Sequence, residues 1–251
     1  MKKVYFIDCG ANIGQSNMKN IYIISELCGQ WGGSMEKAKT MIDQSKEGGA
    51  DAVKVQLWDT WKLPGDDRGK WEYLSMSKDQ LIELMSYAYK KGIVLFASPF
   101  DEERFGWTID VDLEVNKIAS SMLEWDKPLC DKMVESRVKT YCSLGKWSRQ
   151  DPLPYTQDNV IYMHCLPFYP HSHKVAMENM PWKFSDPITG YSDHSIGIES
   201  AKEAIKRGAT TIEKHFTLDH KLQSPTESAH ACSMNLEQLK ELREFCDDRD
   251  T

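Results

Sequence analysis

His194 and His215 are the two side chains of this sequence best placed to do chemistry together. His194 stands at the end of Gly190-Tyr-Ser-Asp-His194 and His215 at the end of Thr211-Ile-Glu-Lys-His215, each run reading as a strand that leads into a polar end. Between them, Ile198 to Arg207 carries a helical pattern and stops at Gly208. In a parallel sheet, one such strand-helix-strand step sets the two imidazoles side by side at one edge. There, two neutral ring nitrogens could hold a divalent metal. A second signal is Lys54, between two valines in Ala50-Asp-Ala-Val-Lys-Val-Gln56. A lysine on a buried strand is costly unless an anion meets it, and Gln56, two residues on, shares its face.

The elements that must position these residues alternate along the chain. Strands are expected at Ile21 to Ser25, Asp51 to Leu57, Ile93 to Ala97, Val115 to Ala119, Val138 to Cys142, Val160 to Cys165, Ile188 to Tyr191 and Thr210 to His215. Helices are expected from Met35 to Gly48 with Ser34 as cap, Lys78 to Lys91, Asp126 to Glu135, Lys174 to Met180, Ile198 to Arg207 and Asn235 to Cys246. The link after Cys142 is the weakest helical segment, because Asp151-Pro-Leu-Pro154 interrupts it. Eight strands mostly separated by helices predict an α/β fold, a (β/α)8 TIM barrel, with its chemistry at the C-terminal strand ends.

Composition is consistent with this. With 251 residues, 41% hydrophobic and 27% charged, the chain suits one large domain with a buried core. A formal charge of -7 argues against a nucleic-acid or anionic-membrane surface, so an anionic substrate would need a local cluster of lysines. Seven cysteines without a Cys-x-x-Cys pair, and no signal-peptide pattern, point to reduced thiols in a cytoplasmic setting. No apolar run approaches the roughly 18 residues of a membrane span.

Residues 1–20 read as an extension ahead of the barrel domain, which occupies residues 21–251. Within it, Asp8-Cys-Gly-Ala-Asn-Ile-Gly14 looks like the first motif of an S-adenosylmethionine-dependent methyltransferase. A new strand begins by Ile21, where such a site needs a helix and a second strand. A short N-terminal strand or hairpin closing the barrel bottom, or a remnant of a gene fusion, is therefore the expected reading.

The motifs Gly190-Tyr-Ser-Asp-His-Ser-Ile-Gly197 and Ile212-Glu-Lys-His-Phe-Thr-Leu-Asp219 resemble those of the sialic acid synthase family, which condenses phosphoenolpyruvate with an N-acetylated aldose. Further matches run in order from Ile21 to Leu239. The resemblance implies that Lys54 and, in Asn116-Lys-Ile-Ala-Ser120, Lys117 and Ser120 contact phosphoenolpyruvate. Two lysines would supply the charges that a phosphate plus a carboxylate require. It implies a similar role for Ser98 in Leu95-Phe-Ala-Ser-Pro-Phe-Asp101, for Ser143 at the end of strand five and for Ser192 in strand seven. Glu26, in Ser25-Glu-Leu-Cys-Gly-Gln30, falls at the acid that meets the acceptor sugar and the reaction's water. Tyr169, in Met163-His-Cys-Leu-Pro-Phe-Tyr-Pro170, falls at a sugar-contacting tyrosine, with a structural aromatic as its other reading. His194 and His215 become the ligands of a divalent ion, typically Mn2+, with Mg2+ or Co2+ as alternatives.

The chain departs from the family pattern at Gln30, Trp31 and Gly32, at Ser121 and Met122, at Pro167, and at Ala229, where an aspartate is usual and Glu227 is the nearest substitute. Family members usually continue into an antifreeze-like domain that reaches across a homodimer. The resemblance thus leaves three arrangements: an acceptor held without that arm, a separate polypeptide that supplies it, or a degenerate barrel that binds without catalysing.

Overall fold

The structure, a computed structural model, describes residues 21–62, 71–148, 150–221 and 227–248, with the side chains of 227–229 excepted. The expected N-terminal strand or hairpin and the methyltransferase-like motif lie outside these residues.

Eight strands form a closed barrel in chain order. They are β1 (Tyr22–Glu26), β2 (Ala52–Leu57), β3 (Val94–Pro99), β4 (Val115–Ile118), β5 (Lys139–Ser143), β6 (Val160–Cys165), β7 (Ile188–Asp193) and β8 (Thr211–His215). Each is parallel to both neighbours, and β1 closes against β8. The helices are α1 (Met35–Glu47), α2 (Lys78–Lys91), α3 (Glu102–Asp110), α4 (Met122–Trp125), α5 (Lys127–Glu135), α6 (His173–Asn179), α7 (Glu199–Lys206), α8 (Glu227–Cys232) and α9 (Leu236–Asp247). This is the expected TIM barrel. Several details differ from the sequence reading, α8 among them, where no helix was expected. The segment after Phe100 is a helix capped by Asp101, whose side chain accepts from Arg104 N at 3.0 Å. A short helix, α4, precedes α5. Between β5 and β6 the described residues form turns, as the two prolines there would require.

Helix ends and faces follow local chemistry. In α1 the Ser34 side chain accepts from Lys37 N at 3.3 Å, and Ala38, Met41, Ile42 and Ser45 are buried at the spacing of one helical stripe. In α2, Ser77 and Gln80 make a capping box, and Gly92 ends the helix in the left-handed region at φ 68°.

Strand alternation divides the interior in two. The outward residues Ile23, Val53, Val55, Leu95, Ala97, Tyr191 and Ile212 join the core beneath the helices. The inward residues Ile24, Ala52, Phe96, Tyr141 and Met163 form a separate cluster inside the barrel. Gly190 belongs to this packing, since a Cβ there would lie 2.7 Å from Met163 Cγ. With the lower barrel filled by apolar groups, polar inward residues are left at the C-terminal ends, the mouth from which this fold works.

Candidate active site

Register brings the polar residues together. Glu26, the last residue of β1, stands level with Lys54 on β2 and with His215 on β8. Ser192 is level with Glu213 across β7 and β8, and Gln56 with Ser98 across β2 and β3. Lys54 and Lys117, expected as separate anion-binding lysines, share one carboxylate. Glu213 Oε2 is 3.3 Å from Lys54 Nζ, and Glu213 Oε1 is 3.3 Å from Lys117 Nζ. Glu26 forms a second ion pair with Lys54. The Lys54 ammonium also donates to Ser98 Oγ at 3.3 Å, that of Lys117 donates to Ser143 Oγ at 2.8 Å, and Ser192 Oγ donates to Glu213 Oε1 at 2.9 Å. None of the four charged side chains is more than 6% exposed.

Burial without compensation would neutralise these groups, so their partners decide their charge. For Glu213, desolvation is outweighed by Lys117 and then Lys54, and its carboxyl is held down at about 2. For Lys54, desolvation is outweighed by Glu213 and Glu26, which hold its pKa above the usual lysine value. Lys117 has a single carboxylate partner, and desolvation moves it below that value. Glu26 moves upward, because burial and the nearby Glu213 charge outweigh Lys54. Its Oε1 accepts from Cys28 N at 2.7 Å.

The two histidines stand beside this cluster with their ring centroids 5.4 Å apart. Tyr169 lies against both, at 5.1 Å from His194 and 5.7 Å from His215. Desolvation pushes His194 down to about 4 and moves His215 well below its usual value, so both rings are neutral near pH 7, as metal ligands must be. His194 Nδ1 lies 2.8 Å from the Leu166 carbonyl oxygen, which can only accept. The proton is therefore on Nδ1, and the lone pair on Nε2. Among the described residues no cluster of three or more His, Cys, Asp or Glu is arranged for a metal. A cation here would rest on two imidazoles and take its other ligands from water or substrate oxygens, as an open catalytic site does.

Two expected contacts sit further out. Gln56 is half-buried, and among the described residues no hydrogen bond links it to the cluster. Ser120 lies at the rim, where a Cβ on Gly145 would come within 3.2 Å of both Ser120 Cβ and Pro167 Cβ. Glu213 and Lys214 face opposite ways, as successive residues of a strand do. Lys214 is directed out of the barrel, where its ammonium donates to Asp193 Oδ2 at 2.8 Å and Ser195 O at 2.7 Å. Asp193 Oδ1 in turn accepts from Ser195 N at 2.9 Å, so a buried pair braces the turn that carries His194. Sequence reasoning did not assign Glu213 to the site. The signal was available, since Glu213 lies two residues before His215 and so on the same strand face.

Among the described residues no helix is long and apolar enough to cross a membrane. Comparison with known proteins gives a concordant result. The NeuB family model matches residues 41–249. An N,N'-diacetyllegionaminic acid synthase of Legionella pneumophila is 29% identical over 92% of this chain and 72% of its own length. An N-acetylneuraminate-9-phosphate synthase of Drosophila melanogaster is 28% identical over 89% of this chain and 66% of its own. The crystal structure of an N-acetylneuraminic acid (sialic acid) synthetase from Leptospira borgpetersenii, solved with citrate, has a TM-score of 0.79 at 25% identity, covering 95% of this chain and 88% of that one. Motif order, barrel and family match thus agree, and the chain belongs to the NeuB family.

Proposed function

We propose that the protein is a nonulosonate synthase, a transferase that condenses phosphoenolpyruvate with an N-acetylated amino sugar such as N-acetylmannosamine and releases phosphate. The observation that carries this reading is the pair of buried lysines on one carboxylate, Glu213, beside two neutral imidazoles at the barrel mouth. If Glu26 is protonated, the four charged groups sum to +1, and if it is ionised they sum to zero. A trianionic enol phosphate therefore calls for more positive charge, which a divalent cation on His194 and His215 would provide.

In this mechanism Lys54 and Lys117 hold the phosphate and carboxylate of phosphoenolpyruvate, with Ser98, Ser120, Ser143 and Ser192 as hydroxyl partners and Gln56 at the edge. A divalent cation, Mn2+ in this reading, would polarise the sugar's aldehyde oxygen. C3 of the enol phosphate bonds to that aldehyde carbon, and the aldehyde oxygen takes a proton. Water adds to the cation developing at C2, giving up a proton. The bond from C2 to the phosphate oxygen then breaks, and loss of the C2 hydroxyl proton leaves a 2-keto acid and inorganic phosphate. Glu26, whose raised pKa lets it exchange a proton nearer neutrality, positions the water and a sugar hydroxyl. Tyr169, against both imidazoles, forms a wall for the sugar.

The test is phosphate release and keto-acid formation from phosphoenolpyruvate, Mn2+ and a panel of N-acetylated hexoses, with wild-type and Lys117→Ala protein. Product from the wild type alone supports the reading. Equal product from both contradicts the role given to Lys117, and none from either favours a barrel that binds without catalysing.

A further inference from the structure

The two imidazoles differ in what fixes their protons. His194 is set by the main chain, because a carbonyl oxygen at Nδ1 leaves one tautomer and frees Nε2. Among the described residues the hydrogen-bond partner of the His215 ring is the side-chain amide of Gln30, in the loop after β1. Gln30 is 2% exposed. Its Nε2 lies 3.2 Å from His215 Nδ1 and 3.2 Å from Ser233 Oγ, while its Oε1 is buried with no partner. An amide can face an imidazole nitrogen in two ways with opposite consequences. With the nitrogen end toward His215, Nδ1 must accept and the ring proton goes to Nε2, which then has no lone pair for a metal. After a half-turn of the amide, Oε1 accepts the proton of Nδ1, and His215 Nε2 presents a lone pair as His194 does. The Ser233 hydroxyl, which can donate or accept, can serve either orientation.

We propose that Gln30 is a positioning residue that sets the tautomer of His215, its side-chain oxygen turning to Nδ1 when a divalent cation is held by the two Nε2 atoms. The inference rests on the metal reading given under the proposed function. It adds that metal affinity is governed by a side chain that touches neither metal nor substrate. The half-turn exchanges two atoms of similar size within one buried amide, so it needs no backbone movement and no new space. Partners of this kind on metal-bound histidines set ring orientation and ligand basicity, and losing one costs about 10- to 100-fold in metal affinity.

Two substitutions separate this role from simple packing. Gln30→Met keeps the length and volume but removes the acceptor, whereas Gln30→Glu keeps an acceptor and removes the donor. Mn2+ affinity by isothermal titration is expected to fall about 10- to 100-fold in Gln30→Met and to stay at or above wild type in Gln30→Glu. In metal-free protein labelled with 15N-histidine, long-range proton–nitrogen spectra are expected to show His215 protonated on Nδ1 in Gln30→Glu and predominantly on Nε2 in Gln30→Met. Equal Mn2+ affinity in wild type and Gln30→Met overturns the proposal, as does an equal loss in both variants, which is what a packing role would give. Absence of Mn2+ binding in the wild type overturns the metal reading and this inference with it. If Gln30→Met does not fold, the wild-type and Gln30→Glu titrations decide, because a tenfold loss in Gln30→Glu is incompatible with an acceptor role.

Discussion

Glu213 stands between Lys54 and Lys117, with one carboxylate oxygen 3.3 Å from each ammonium. It sets the site's charge balance, because its single negative charge is shared by the two lysines to which the proposed anionic substrate would bind. Removing its charge should both weaken the fold and strengthen anion binding. In Glu213→Gln, Lys117 loses its carboxylate partner and stability should fall by about 3–5 kcal/mol, the usual cost of breaking a buried pair. The rise in melting temperature produced by added phosphoenolpyruvate should then exceed that of the wild type. Thermal melts with and without the ligand measure both effects, and an unchanged ligand-induced rise would count against the balance described.

Lys117 has less ionic support than Lys54, and its carboxylate partner is shared. Lys117→Ala should therefore still fold while losing the charge that, under the proposed function, orients the enol phosphate. Initial rates of phosphate release should drop by at least about 100-fold, in line with the loss of a preorganised electrostatic contact.

Acid should destabilise the metal-free protein through its buried histidines. His194 has a folded-state pKa of about 4 against 6.5 unfolded, so between these values the unfolded chain takes up a proton that the folded one does not. Its contribution is complete above pH 6.5 and is lost as pH falls toward 4, amounting to about 3 kcal/mol. His215 is shifted in the same direction. Urea unfolding in the presence of a chelator, at steps from pH 7 to pH 4, should show this slope, and His194→Asn should flatten it.

Metal and substrate affinity should be coupled. Because the protein's own charges sum to no more than +1 at the cluster, chelation should weaken phosphoenolpyruvate binding as well as abolish turnover, and Mn2+ should restore both. Titration of phosphoenolpyruvate into protein with and without Mn2+ reads this directly. Identical affinities would place the enol phosphate out of range of the two histidines.

Behind the site, Asp193 and Lys214 form a fully buried pair that holds the turn before His194. Asp193→Asn leaves a buried ammonium without its counter-ion and should cost about 3–5 kcal/mol. The Asp193→Leu, Lys214→Met double variant should recover part of that loss by denaturant titration, because it leaves no orphaned charge.

Much of the site was legible because strands have a period of two. Once His215 is taken as inward, Glu213 follows, and Lys54 announces itself as a charge among valines. Ser192, Ser143 and Ser98 were named through the family resemblance of the motifs that hold them. What strand periodicity cannot reach is the loops. The position of Gln30 against His215 depends on how the segment after β1 folds back over β8, and Ser120 and Pro167 meet across Gly145 from three different loops.

The sequence by itself determined the eight-strand order, the mouth at which chemistry is placed and the residue types gathered there. These are consequences of local pattern, with one strand and one crossover for each step. Only the tertiary structure decided who partners whom. The pairing of β1 with β2 sets Glu26 against Lys54, closing the ring sets Glu26 level with His215 on β8, and Glu213 reaches across the interior to Lys117. That pairing sets the protonation states of the site, because in a desolvated interior the nearest opposite charge decides whether a group is ionised, and distance between side chains is a property of the closed barrel alone.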